Sequence, residues 1–197
     1  MSRPAATLSQ RHSDLTQELI LAAAIDLLEH SSVAELTVRD VAQRANISAR
    51  TVFRYFPTRD EFLDAIAAEV IRNLNLPPHP ATIEELLNLP DALYRTFEAK
   101  TSLTKAALHS ELFDRIRSAP AQQRWIAVGK LLDQHAAKAT PRERKLAVAN
   151  IRFFLSATAW HYYRFYFGFS LSDTIAAADA AIRQTLNGVA VKIPTAK

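Results

Sequence analysis

The stretch from Thr37 to Phe56, TVRDVAQRANISARTVFRYF, constrains this chain more than any other part of it. Thr37 is placed to cap a first helix, and Asp40, three residues on, to return a bond to the Thr37 amide. Val38, Val41, Ala42 and Ala45 follow at helical spacing and make one apolar face. Asn46 stands where the chain must turn, and asparagine is among the few residues besides glycine that tolerate a positive φ. Ile47 plugs inward, Ser48 is the next cap, and a second helix begins at Ala49. Val52, Tyr55 and Phe56 fall on its inner side, while Ala49, Arg50, Phe53 and Arg54 fall on its outer side. A basic face on a short helix braced by its neighbour is the pattern of a helix-turn-helix, whose second helix enters the major groove of DNA. Arg50 is the residue expected at a base edge, because arginine to guanine is the commonest specific pairing. Arg54 is expected to meet phosphate or solvent, and Arg44, on the far side of its helix, to meet solvent.

The formal charge of +4 and pI near 9.5 are less informative than where the charge lies. Residues 1–75 hold eight basic and ten acidic side chains, yet Arg39, Arg44, Arg50, Arg54 and Arg59 share a window in which Asp40 is the only acid. That local excess is what a phosphate-facing surface needs. The chain has no cysteine, which excludes disulfides, thiol catalysis and thiolate metal sites. Its six histidines are scattered without an i, i+4 pair, and no phosphate-binding glycine loop or nucleophile triad is present. No metal, cofactor or enzymatic activity is therefore expected. The longest apolar stretch, Phe153 to Phe169, is broken by His161 and Arg164 and is too short for a membrane span, so a cytoplasmic protein is expected.

With three glycines among 197 residues and abundant alanine and leucine, the rest of the chain also reads as helix. Residues 1–12, with Arg3, Arg11 and His12, read as a flexible arm or as a basic arm touching DNA beside the main site. A helix from Ser13 to about His30 carries Leu15, Leu19, Ile20, Ala23, Ala24, Leu27 and Leu28. Pro57, Thr58 and Glu61 open a connecting helix over 58–75, which Pro77, Pro78 and Pro80 stop. The expected architecture is all-α: a three-helix head over 13–57 and a helical regulatory and dimerisation domain over 58–197. In that domain Pro90 is expected near the start of a helix reaching about Lys100, after a capping box at Thr82 and Glu85. Short helices follow from Thr101 and Ser110, then one from Pro120 to His135. Thr140, Pro141 and Glu143 open a long helix ending by Gly168. Ser170 or Ser172 caps the last helix, which Gly188 should stop.

On the long helix Phe153, Trp160, Tyr163 and Phe167 share one side, and Ile151, Phe154, Leu155, Thr158 and Tyr162 another. Two opposed apolar faces suggest a core on one side and a second subunit on the other. The expected dimer contacts are Phe153, Trp160, Tyr163 and Phe167, with Ala178 and Ile182 from the last helix. In the middle helices Tyr94, Phe97, Phe113, Trp125, Leu132, Phe154 and Thr158 would each serve as core. As a group they would line a pocket for a mostly apolar or aromatic molecule, oriented by His109, Asn150 or Thr158.

Residues 15–65 resemble the TetR (tetracycline-repressor-like) family of transcriptional regulators. The resemblance rests on Ala23-Ala24, Thr37, Val41-Ala42, Ile47-Ser48, Thr51-Val52-Phe53, Tyr55-Phe56, Arg59 and Leu63. It implies a two-fold homodimer that binds a palindromic operator on double-stranded DNA, most simply as a repressor released by a small molecule. It also implies DNA contacts from Arg39, Ser48, Ala49, Arg50, Thr51, Phe53 and Tyr55, with Arg59 on a phosphate. Asn46 replaces the family's common glycine, and Phe53 a common tyrosine, which removes one phosphate hydrogen bond. The alternative is a helical small-molecule-binding protein or enzyme that kept the head and lost operator binding.

Overall fold

A computed structural model describes residues 8–117 and 120–193. The head is α1 (Leu8–Leu28), a single 3-10 turn (Val33–Glu35), α2 (Val38–Arg44) and α3 (Ala49–Tyr55), joined by α4 (Arg59–Leu74) to the remainder. There follow α5 (Ile83–Ala99), α6 (Thr101–Ala107), α7 (Ser110–Arg117), α8 (Pro120–His135), α9 (Pro141–Phe154), α10 (Ala157–His161) and α11 (Leu171–Gly188). No strand occurs among the described residues, and none of their helices is long and apolar enough to cross a membrane.

The helix starts follow from side-chain caps. The hydroxyls of Thr37, Ser48, Thr58, Thr82, Thr140 and Ser170 each accept a backbone N–H three residues on. Of the expected boxes among the described residues only that at Thr140 closes, with Glu143 accepting the Thr140 amide at 2.7 Å; Ser32 and Glu35 close another at the 3-10 turn. Asp40 instead takes the Thr37 hydroxyl. The corner between α2 and α3 is a left-handed stop: Asn46 has φ 54°, its amide donates to Gln43 at 3.1 Å, and the Ile47 amide donates to Ala42 at 2.9 Å. Asn46→Gly is expected to be tolerated there. Asn46→Val is expected to cost about 1–2 kcal/mol, because a β-branched residue resists this region, and thermal melting measures the difference. Equal melting temperatures for wild type and the valine variant would overturn the account.

Four element boundaries differ from expectation. First, α1 begins at Leu8, so residues 8–12 are helical rather than part of an arm; residues 1–7 lie outside the described residues. Second, Pro90 sits within α5 instead of near its start, where its missing N–H leaves only the Leu86 carbonyl without its helical donor. Third, the long helix is interrupted. The chain leaves α9 at Leu155, Ser156 caps α10, and a π-type turn over Tyr162–Tyr166 follows directly. Fourth, α11 runs through Gly188, and Ala190, at φ 57°, makes the left-handed stop.

Two apolar cores form, and they do not divide at the prolines. The first gathers α1, the helix-turn-helix and α4, and adds Leu103, Ala106, Ala107 and Leu112 from α6 and α7. The second gathers α5, α8, α9, α10 and α11 around Tyr94, Leu132, Ile151, Trp160 and Ile182. The α6–α7 hairpin thus follows the prolines in sequence but belongs to the head by burial. The Tyr94 hydroxyl donates to the Phe154 carbonyl at 2.6 Å, and burial pushes its pKa well above the ordinary tyrosine value.

Candidate nucleic-acid interface and ligand cavity

Burial of Val52 and Phe56 against α1, α2 and α4 fixes how α3 is turned. Ser48, Arg50, Phe53 and Arg54 are left exposed on its outer side, and Arg39, in the first turn of α2, is exposed too. Ala49 and Thr51 are half-buried, and the Thr51 hydroxyl lies 2.8 Å from that of Ser48. Tyr55, expected among the DNA contacts, packs half-buried against the first core. Hydrogen bonds with Thr16 and then Ser13 of α1 hold its hydroxyl's pKa below the ordinary value, so the hydroxyl is turned to α1. The Arg54 guanidinium lies 5.2 Å from the Tyr55 ring centre. Arg44 does not stand in solvent alone: Asp26 of α1 accepts from it, which ties α2 to α1.

Arg59, expected on a phosphate, is held by its own chain. Its Nε and Nη2 donate to the two carboxylate oxygens of Glu111, on α7, at 3.0 and 2.9 Å. One turn further along α7, Arg115 donates to Asp60 and Asp64, and those carboxylates raise its pKa. The first turns of α4 are therefore clamped to α7 by a planar fork and a bridging arginine. Sequence spacing gives no hint of pairs that lie 51 to 55 residues apart.

A cavity of about 410 Å³ opens between the end of α4, the proline segment, α5, α7, α8, α9 and α10. Of the expected ligand residues, Phe97, Phe113, Trp125 and Thr158 line it. Tyr94 and Phe154 do not, because both are engaged in the second core. His109 is outside too: its Nδ1 accepts the Glu111 amide at 3.4 Å in the α6–α7 turn. Asn150 is exposed on the outer side of α9. The sequence reading overlooked Arg117 and Arg152. Arg117 donates to the Thr158 hydroxyl at 3.2 Å and lies 3.7 Å over the Phe113 ring; Arg152 lies 3.1 Å over the Trp125 ring. An arginine inside the apolar run around Phe153 was the available signal for Arg152.

The expected dimer face needs a larger correction. Trp160, Ala178 and Ile182 are 0% exposed within the single chain and belong to its second core, so none can meet a partner. The expectation assumed one uninterrupted helix; the break at Leu155 turns Trp160 inward, while Ala178 and Ile182 lie on the side of α11 that packs against α5 and α9. Tyr163 is half-buried and stacked on Phe169, and Phe153, though half-exposed, stands at the cavity. The exposed rings of this segment are Tyr162, Phe165, Tyr166, Phe167 and Phe169, and on α11 Ala176 and Ala180 are exposed. Arg164 anchors this turn: it donates to Glu98 of α5 and to the Phe169 carbonyl.

A basic recognition helix on a three-helix head, coupled to a helical body with an apolar cavity, defines the class of helix-turn-helix proteins with an attached sensor-like domain. The profile of the bacterial regulatory proteins of the tetR family matches residues 20–66. The HTH-type transcriptional repressor KstR of Rhodococcus jostii is 28% identical over 141 residues, 67% of this chain and 65% of its own length. The chain thus matches just under two thirds of that relative. Among solved structures, a tetR-family transcriptional regulator from Streptomyces coelicolor aligns with a TM-score of 0.68 at 15% identity, covering 90% of this chain and 82% of its own. Thermus thermophilus FadR, a TetR-family transcriptional repressor in complex with lauroyl-CoA, aligns with a TM-score of 0.52 at 19% identity, covering 92% and 98%. At these identities the likeness is one of fold. Residues 20–66 thus match the DNA-binding domain of the tetR family, and the whole chain shares the fold of solved proteins of that family.

Proposed function

We propose that this chain is a DNA-binding transcriptional repressor, released from its operator by a small, mostly apolar ligand. It acts in the cytoplasm as a regulator and not as an enzyme. The observation that carries the reading is the position of α6 and α7. They share the head's core, α7 lines the cavity with Phe113, Ile116 and Arg117, and α7 also holds the first turns of α4 through Glu111 and Arg115. A ligand that prefers one setting of α7 thereby prefers one setting of the head, and the size of that preference limits the response. The similar proteins described above, one a transcriptional repressor and one a repressor in complex with lauroyl-CoA, agree with this reading.

Arg39, Ser48, Arg50, Phe53 and Arg54 form the DNA-facing set, with Ala49 and Thr51 at its edge. A homodimer through the outward rings of the π-type turn and the small residues Ala176 and Ala180 places two such sets on a palindromic site. Genomic-fragment selection with the purified protein tests this. Enrichment of one palindromic sequence is expected, and recovery of fragments no better than bulk DNA would overturn the reading.

Arg59 cannot fork onto Glu111 and a phosphate at once. Glu111→Gln is therefore expected to tighten binding to every DNA sequence and to steepen the salt dependence by about one phosphate contact. Arg59→Ala should remove only what part of that contact the wild type makes, so the two changes together amount to no more than one contact. The ion pair itself is half-exposed and worth roughly 0–1 kcal/mol, so melting temperatures should barely move. Salt titrations of DNA affinity decide it: a slope unchanged in both variants removes Arg59 from the interface.

A further inference from the structure

Resting on the ligand-released reading, we propose that the cavity takes an apolar acid: a hydrocarbon or ring body ending in a carboxylate, whose anion is bound by Arg117 and Arg152. Most of the wall is apolar, from Leu74, Leu93, Phe97 and Val128 among others, and it demands an apolar body. The charged groups decide the rest. Two guanidiniums line the cavity, Arg152 half-buried and Arg117 exposed, and no acidic side chain is among its described lining residues. A guanidinium stays cationic at every relevant pH, so these two draw an anionic end of a ligand toward the wall and oppose a cationic one.

The geometry suits a carboxylate. Each guanidinium rests its face on a ring, Arg117 on Phe113 and Arg152 on Trp125, and a stacked guanidinium keeps its N–H donors in the plane of its edge. That edge matches the two oxygens of a carboxylate. Arg117 now donates to the neutral Thr158 hydroxyl, a weaker acceptor than an anion, so a carboxylate displaces it. Arg117 is also the last residue of α7, the helix whose Glu111 and Arg115 hold α4. An anion that draws on Arg117 draws on the helix that clamps the head.

Calorimetric titration of the full-length protein with decanoic acid, decan-1-ol, decylamine and decanoyl-CoA tests the proposal. The acid should bind roughly tenfold or more tightly than the alcohol, the worth of one charge-assisted hydrogen bond, and the amine most weakly. Arg117→Gln and Arg152→Gln should each reduce the preference for acid over alcohol while leaving alcohol binding in place, which also reports that the variants fold. Arg117→Lys, which keeps the charge and loses the fork, should retain part of the preference. Alcohol binding as tight as acid binding, or a preference that survives both glutamine variants, overturns the proposal. So does decanoyl-CoA binding more tightly than the free acid, since its anion then lies outside the cavity carboxylate. The regulator reading fails separately, on the DNA selection above, and that failure would leave the acid preference standing.

Discussion

Trp160→Ala is expected to destabilise the folded chain by about 3–5 kcal/mol, the usual cost of truncating a fully buried large aromatic. For a chain of this size that is a fall in melting temperature of roughly 6–20 °C. The side chain has no exposure, and its ring packs 5.9 Å from Phe97 and 5.4 Å from Phe165 between centroids. Its indole N–H donates to the Glu98 carboxylate at 3.2 Å. The hydrogen bonds from Arg164 chiefly, and also that from Trp160, hold the Glu98 carboxyl below the usual glutamate range against the opposing effect of burial. Stability from this group is therefore present above the ordinary glutamate pKa and lost as pH falls through the lowered one. A subunit-contact role for Trp160 makes a different forecast: a folded, normally stable chain that fails to dimerise. Thermal melting and sedimentation of the same sample separate the two, and an unchanged melting temperature defeats the core assignment.

Arg50→Ala is expected to cost about 1–3 kcal/mol of discrimination at one position in each half-site. Arg50 stands exposed on the outer side of α3, and no described acid pairs with it, unlike Arg44 and Arg59. Removing it should flatten preference at that base pair while the slope of affinity against salt changes by no more than one contact. Binding to a panel of single-base operator variants reads this directly. If the alanine variant weakens all of them equally, Arg50 touches the backbone and its assignment to a base edge is wrong. Phe53, half-exposed on the same side, presents a ring without a hydroxyl, so Phe53→Tyr should strengthen binding modestly.

The helix-turn-helix was legible because its signals are local. A cap, an apolar spacing and one residue suited to positive φ sit within a few positions of one another, and each has a single physical meaning. Thr140, Pro141 and Glu143 were legible for the same reason. Ser156 was not: it caps α10 with no acidic residue three positions on, inside a run of apolar residues that reads as one helix. That one missed cap shifted the phase of the positions up to Phe169, and so Trp160 was assigned to the wrong side; Ala178 and Ile182, on the separately capped α11, are buried because that face packs into the second core. Pro90 misled in the other direction, since a proline within a packed helix is tolerated when burial outweighs the lost bond. The Arg59–Glu111 fork and the two arginines of the cavity depend on helices distant in sequence coming together, and no local pattern encodes such a meeting.

The shared first core also bears on how the chain comes into being. Protein synthesis runs from the N-terminus, and early segments ordinarily fold as they emerge. Here the helices of the head emerge with part of their apolar cover still unmade, because Leu103, Ala106, Ala107 and Leu112 follow later. While the chain has emerged only as far as the proline segment, the apolar surface of the head that these residues cover remains open to water and to chaperones. Completion of the reading head is thus timed by translation of a hairpin that lies well beyond it.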